Sequence, residues 1–506
     1  MNNVSKIVPF EELAKIAAAA KGKQRIVLAH GCFDLLHIGH IRYLRQARAM
    51  GDLLIVTISP DRYVDKGPHR PAFNESLRAE AIASLDCVDH VAVNLWPTAV
   101  ETLRAIRPDV YCKGSDFKDA KSDATGKLQA EEEVAGEVGA EMAFSKDIVF
   151  SSSNLINRFL STFPEEVQQY LNVFRMRYSE SDLVKVLDDM QNLKVLVLGD
   201  TILDDYRYGT VIGSSSKEPM LALKHDSSDL FAGGVLAVAN HLSSYVAEVR
   251  LFTVFGEQGD REQFIRESLA PQVRPHLTLH KGAPTIEKRR YIESYTLNKL
   301  LEIYHMDDSG LPPETDAAFV SAVAAEIANY DLVITADFGH GTISHNMRRM
   351  LEQKARFLAV NTQANAGNRG FHTIGRYERA DYVSLAEPEM RLEDRDLTGP
   401  LVPIMQKAAK RLGTRALAVT RGKKGCTILT SEGLVEIPAF AHKVVDRIGS
   451  GDAFFAISSL AAALGVQSEV IALLGNVVGG LAVGVIGNKK AIDRISTQKY
   501  LTSLLK

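Results

Sequence analysis

His37 and His40 stand three residues apart in the run His30-Gly-Cys-Phe-Asp-Leu-Leu-His-Ile-Gly-His40, which follows the apolar stretch Ile26-Val-Leu-Ala29. A spacing of three places both imidazoles on one helical face. The first turn of that helix offers unpaired N–H groups and the positive end of its dipole, and Gly31 and Gly39 allow a ligand to approach the backbone. Such a set suits a phosphoryl group whose negative charge grows as a bond to phosphorus is displaced. A second run, Asp446-Arg-Ile-Gly-Ser-Gly-Asp452, precedes the apolar helical pattern from Ala453. There Gly449, Ser450 and Gly451 can turn successive N–H groups inward as an anion hole, and Asp452 supplies a carboxylate able to accept a proton. Phosphoryl transfer to a hydroxyl needs just those two parts.

The elements that position these residues follow from the hydrophobic pattern. From Arg25 to about Phe150, strands at Ile26–Ala29, Leu53–Ile58, Val88–Val93 and Asp109–Lys113 alternate with helical segments. That alternation predicts a parallel sheet with helices on both faces and ligands at the carboxyl ends of its strands. Residues 165–190 read as a polar helical linker, and Lys194-Val-Leu-Val-Leu-Gly199 restarts an alternating pattern that runs to the end. The expected domains are 1–164, a linker at 165–190, and 191–506. The fold class is α/β in both.

With strand, glycine turn and His-x-Gly-His in that order, the first domain resembles the HxGH nucleotidylyltransferases, which have a Rossmann-like fold. The resemblance implies His37 and His40 as catalytic residues and nucleotide contacts at Gly31, Cys32, Phe33, Asp34, Lys66, Arg70, Lys113, Gly114, Ser151, Ser152 and Ser153. Asp446–Asp452 resembles the GAGD motif of ribokinase-like (PfkB) sugar kinases. That implies Asp452 as the catalytic base, Gly449, Ser450 and Gly451 as its anion hole, and Asp204, Gly233 and Gly234 at the sugar. It also implies Thr420, Gly422 and Gly425 at ATP, and Glu389 as an acidic residue that helps organise magnesium.

The combination is similar to the bifunctional heptose kinase and nucleotidylyltransferase family of lipopolysaccharide precursor synthesis, with the domains in reversed order. Three positions depart from that family's pattern. Ala237 stands where an Asn would bind sugar, with Asn240 further on; Ala386 replaces the Asn of an N-x-x-E element; Asn361 replaces an Asp. The expected activity is sugar kinase plus sugar-phosphate nucleotidylyltransferase, with Mg2+ and ATP, and with CTP possible at the transferase site. Two alternatives stand beside it: a cytidylyltransferase making a CDP-polyol or CDP-sugar with a kinase for its precursor, and a degenerate kinase half that binds sugar and regulates the first.

Composition frames these readings. The 506 residues exceed what one core organises, and a net charge of -3 gives no general attraction for nucleic acid or an anionic membrane. The 4 Cys residues show no paired spacing, so no metal site made by protein alone is expected, and the reduced cytoplasm is the expected compartment. The amino-terminal residues carry no uninterrupted apolar signal segment, and Ala453–Gly487 reads as two buried helices rather than a membrane span. Expected partners are nucleoside triphosphates and sugar phosphates, with no nucleic acid or membrane, in a homo-oligomer. Glu131-Glu-Glu133 reads as a solvated helix face. Lys288, Arg289 and Arg290 read as a strand-edge charge run, with contact to a sugar phosphate as the other account. His340 reads as a loop residue near the kinase cleft.

Overall fold

Apolar residues on both sides of the pleat require a strand covered on both faces, and the first sheet is built that way. The computed structural model describes residues 6–64, 70–114, 127–145, 163–259, 261–307, 309–441 and 444–505. The chain folds as two units, one of residues 1–162 with 499–506 and the other of residues 163–498. Lys66 and Ser151–Ser153 lie outside the described residues.

In the first unit, β1 (Ile26–Gly31), β2 (Leu53–Ile58), β3 (His90–Val93), β4 (Val110–Lys113) and β5 (Glu141–Phe144) form a parallel sheet in the order β3-β2-β1-β4-β5. Ile26 and Leu28 enter one apolar core, with Leu13, Leu103 and Tyr111. Val27 and Ala29 enter the other, with Leu44, Ile82 and Val91. The chain winds outward from β1 through β2 to β3 and then returns to β1's other side as β4. This reversal places a crevice at the carboxyl end of β1, where Gly31–His40 begins.

The second unit contains β6 (Lys194–Ser214), β7 (Leu221–Gly234), β8 (Glu248–Gln258), β9 (Val273–Pro284), β10 (Ile286–Glu293) and β11 (Lys299–His305). It continues with β12 (Leu332–Asp337), β13 (Leu358–Thr362), β14 (Tyr382–Ala386), β15 (Ala416–Thr420), β16 (Cys426–Thr430) and β17 (Gly433–Ile437). The main sheet runs β9-β8-β6-β12-β13-β14-β15-β16-β17, parallel except for the final β15-β16-β17 meander. A smaller sheet runs β11-β10-β6-β7. β6 belongs to both: residues up to Asp200 pair with β8, and residues from Thr201 onward pair with β7.

Residues 165–190, expected as a linker, form helices Glu165–Arg175 and Glu180–Asp189 of the second unit, with Val167, Leu171, Phe174, Leu183 and Leu187 buried. The second of these starts at a capping box formed by Ser179 and Asp182. Segment 453–487 is indeed two helices, Ser450–Ala463 and Ser468–Ala482, almost wholly buried. No helix among the described residues is long and apolar enough to cross a membrane.

Candidate functional site

At the end of β1 the chain makes a strained turn, with Phe33 at φ 50° and Leu35 at φ 47°, before His37 caps helix Ile38–Arg48. His37 Nδ1 accepts the N–H of Gly39 at 3.1 Å. A ring nitrogen that accepts carries no proton, so the neutral ring keeps its proton on Nε2, where it is a donor. Partial burial lowers the His37 pKa. The rings of His37 and His40 stack with centroids 4.0 Å apart, and Phe33 meets His40 edge-on at 5.5 Å. The two imidazoles therefore form one face at a helix N-terminus, as the spacing predicts.

The other sequence-predicted residues of this unit divide by what they touch. Asp34 is buried; its carboxylate accepts the N–H of Ala72 at 2.8 Å and faces Arg70 Nη1 at 3.4 Å, so it fastens segment 70–73 beside the histidine turn. Cys32 is buried and its carbonyl accepts from Arg78 Nη1. Lys113 ends β4 as a buried side chain, its Nζ 2.6 Å from Glu131, and Gly114 follows it.

Arg78 and Glu131 are the positioning residues that sequence reasoning missed. Arg78 is 1% exposed, and besides Cys32 it donates to the carbonyls of Ser59 at 2.8 Å and Phe73 at 3.0 Å and to Asp61 at 2.5 Å. One guanidinium thus ties the carboxyl ends of β1 and β2 to segment 70–73. Glu131, expected on a solvated face, is 3% exposed and accepts from Ala99 N–H and Tyr111 OH, each at 2.9 Å, as well as from Lys113. Burial would raise its pKa, but Lys113 and His30 hold it below the usual value. Leu128, Val134 and Ala135 share its buried face, and that helical spacing was the available signal. His30 hydrogen-bonds Thr57 at 2.9 Å, and burial, with Lys113 nearby, pushes its pKa down to about 4.

In the second unit Gly449, at φ 81°, caps helix Ser450–Ala463, and a Cβ there would collide with Asn488. Ser450 and Gly451 open the helix, and Asp452 lies buried in its first turn. Burial, with Asp204 and Glu389 adding to it and Lys288 opposing, pushes the Asp452 pKa up to about 7. A Cβ at Gly233 would strike the Asp204 carboxylate unless that side chain shifted; Gly234, at φ 55°, starts helix Val235–Leu242. The glycine pair and Asp204 thus meet across the β6–β7 register, where Ile202 faces Gly233. Thr420 ends β15, and Gly422 and Gly425 bound the turn that leads to β16. Half-buried Glu389 accepts the N–H groups of Ala386 at 2.8 Å and Ala364 at 3.1 Å, and burial pushes its pKa up to about 7.

Three further findings correct or extend the sequence reading. β10 is no edge strand, since β6 and β11 pair with it on either side; Lys288 and Arg290 are buried on one face, and Arg289 pairs with Asp205 at 2.6 Å. Arg290 binds Asp204 and reaches Glu302 at 2.6 Å. Asn240 does not stand in for the Asn missing at Ala237. Its amide donates to Ser268 O and accepts from Ala270 N, each at 2.9 Å, so both of its groups serve a turn. Asp200 is fully buried and accepts N–H groups from Phe338, His340 and Thr342 at 3.1–3.3 Å, so it fastens the loop that carries His340. Among the described residues no three His, Cys, Asp or Glu side chains converge as a metal cage.

Comparisons with known proteins find matches in both units. The profile of the Cytidylyltransferase-like family matches residues 28–159, and that of the pfkB family of carbohydrate kinases matches residues 380–494. The first unit thus carries a region similar to the Cytidylyltransferase-like family, and the second a region similar to the pfkB family of carbohydrate kinases on a ribokinase-like fold. Its relatives include the bifunctional protein HldE of Trichlorobacter lovleyi, 36% identical over 173 residues, which are 32% of this chain and 32% of that protein. The HldE of Helicobacter pylori strain G27 is 44% identical over 114 residues, 22% of this chain and 24% of the relative. The chain therefore spans about a third or less of the length of these relatives. Phosphofructokinase-2 from Escherichia coli, solved in complex with substrates and products, shares the second fold at a TM-score of 0.51 and 15% identity, over 62% of this chain and 100% of that one.

Proposed function

We propose that the chain is a bifunctional sugar kinase and sugar-phosphate nucleotidylyltransferase that makes a nucleotide-activated heptose for surface polysaccharide. The observation that carries the kinase half is the placement of Asp452: a buried carboxyl at a helix N-terminus, within electrostatic reach of Asp204, Lys288 and Glu389. Asp452 takes the proton of the sugar hydroxyl as that oxygen attacks the γ-phosphorus, while the N–H groups of Gly449–Gly451 receive the phosphoryl oxygens and ADP leaves. Asp204 and the backbone at Gly233 hold the sugar, and Thr420, Gly422 and Gly425 border the nucleotide. In the first unit, His37 and His40 donate to the α-phosphate of a nucleoside triphosphate as a sugar phosphate oxygen attacks it and pyrophosphate leaves. Gly31–Asp34, Arg70 and Lys113–Gly114 frame that nucleotide.

Mg2+, when bound with the triphosphate, neutralises charge on the phosphate oxygens. The donor set fits a hydrated ion: Glu389 offers a carboxyl, and Asn361 Oδ1 is buried with no hydrogen-bond partner among the described residues. Asn361 and Glu389 would orient its water ligands. The four cysteines are free thiols, which supports a reducing, cytoplasmic setting. The exposed apolar side chains Leu301 and Ile303 of β11 support a homo-oligomer.

The test follows both products. ADP and pyrophosphate release are measured with a panel of heptoses, hexoses and their phosphates, with ATP and CTP as nucleotides. Release of both products supports the reading. Pyrophosphate without ADP from any sugar favours a regulatory kinase half, for which Ala237 and the committed Asn240 speak. A preference for CTP favours the CDP-polyol or CDP-sugar alternative.

A further inference from the structure

Asp446 is the knot beneath the anion-hole segment. Its side chain is 4% exposed and gathers two separate stretches of chain: one oxygen accepts the N–H of Ile448, which leads into Gly449, and the other accepts the N–H of Gly487, which leads into Asn488. Asn488 in turn stands so close to Gly449 that a Cβ there would strike its amide. One carboxylate therefore places Gly449 twice, through the chain before it and through the wall beside it. Neutral N–H and O–H donors do not balance its charge. Among the described residues its one ion-pair partner is Lys299, the first residue of β11, whose ammonium also lies 5.6 Å from the centre of the Tyr206 ring. The smaller sheet thus supplies the cation. It also packs on both loops: Ile448 and Ile486 lie against Tyr206, Phe231 and Ile292 of that sheet, and a Cβ at Gly487 would meet the Phe231 ring. Removing one partner of such a pair leaves the buried charge uncompensated, and it then draws in water or shifts. The Lys299 side chain itself is 36% exposed, so small ions reach its place from solvent.

We propose that Lys299 is the positioning residue of the anion hole: its ammonium fixes Asp446, and through that carboxylate the N–H groups of Gly449–Gly451 that receive the phosphoryl oxygens. The inference rests on the kinase reading above and adds a dependence to it. The anion hole is fully formed only while the sheet that carries Asp204 and Arg290 is seated on Asp446. Lys299 acts through Asp446 and not on the sugar, so its loss slows transfer and leaves acceptor affinity in place.

The full-length protein is compared with Lys299→Ala in two measurements. Amide hydrogen exchange without ligand is followed by mass spectrometry over peptides that contain Ile448 and Gly487, and ADP formation is followed with the sugar panel above. Lys299→Ala should speed exchange in both peptides by about tenfold or more. It should lower kcat for ADP formation by about tenfold or more, with KM for the sugar within about threefold of the natural value. Propylammonium replaces the atoms that the substitution removes and should reverse both effects; tetramethylammonium, a cation without N–H donors, should not. Lys299→Gln keeps a donor and most of the packing but not the charge, and should show the same losses if Lys299→Ala does not fold. Unchanged exchange in both peptides overturns the proposal. So does a loss expressed in KM alone, which would put Lys299 in acceptor binding, and so does a loss in Lys299→Ala that propylammonium leaves unreversed, which would make it a general support of the sheet. If exchange responds as expected and the natural protein forms no ADP from any sugar, the inference stands and the kinase reading falls. If ADP forms and neither exchange nor rate depends on Lys299, the kinase reading stands alone.

Discussion

Tyr206 and Asp446, 240 positions apart in the chain, are joined by a hydrogen bond of 2.7 Å from phenol to carboxylate. Lys299 of β11 reaches the other carboxylate oxygen, and the N–H groups of Ile448 and Gly487 complete the cluster at 3.1 and 3.0 Å. Burial would raise the Asp446 pKa, but Lys299 and Tyr206 hold it below the ordinary carboxylate range. The smaller sheet is thus fastened to the residue that begins the anion-hole segment. Tyr206→Phe should remove one donor from a buried carboxylate at a cost of about 1–3 kcal/mol. Thermal denaturation of the second unit and ADP formation should both show the loss; an unchanged midpoint with normal turnover contradicts the fastening.

Asp452 gives the kinase a pH signature. The base works as the carboxylate, so kcat/KM for ADP formation should rise with pH through about 7, where burial places its titration. Asp452→Asn should abolish ADP formation while pyrophosphate release continues. The stability sign is opposite. A carboxyl raised from 3.8 to about 7 favours folding at low pH and loses that contribution as pH rises through the folded value. The unfolding free energy of Asp452→Asn relative to the natural protein should therefore increase between pH 5 and pH 8, by about 2–3 kcal/mol. An advantage that does not grow with pH contradicts the burial of this charge.

For the transferase, His37→Ala or His40→Ala should reduce pyrophosphate release by about a hundredfold or more, because each removes a donor to the phosphoryl group in the transition state. Circular dichroism should show the fold retained. Near-normal rates in both variants would remove these residues from the mechanism.

Glu131 should matter to stability more than an acidic surface residue does. Glu131→Ala takes the acceptor away from Ala99, Tyr111 and Lys113 together, and breaking a buried ion pair costs about 3–5 kcal/mol. Denaturant unfolding of the first unit measures it. A change of less than about 0.5 kcal/mol is what a solvated glutamate would give.

What the sequence made legible was local. The apolar run at Ile26–Ala29, the helical spacing of His37 and His40, and the Gly449–Asp452 turn each carry their signal within a few residues, and the structure builds each as read. The burial of Lys288 and Arg290 was not legible, because it depends on β6 and β11 lying on either side of β10, a pairing that the charges themselves do not encode. Three adjacent glutamates likewise read as solvent-facing; only the spacing of Glu131 from Leu128 and Val134 sets it apart. Arg78 was hidden for a related reason, since its partners are backbone carbonyls, which have no signature in residue type.

The passage of β6 from one sheet into the other works as an axle. Asp200, which fastens the loop at Phe338–Thr342, is the last residue paired with β8, and Asp204, beside the glycine pair, lies four residues beyond it on the same unbroken strand. A rotation of the smaller sheet cannot be confined to that sheet. Because the strand is unbroken, a turn of the smaller sheet about β6 would change the separation of these two acidic groups.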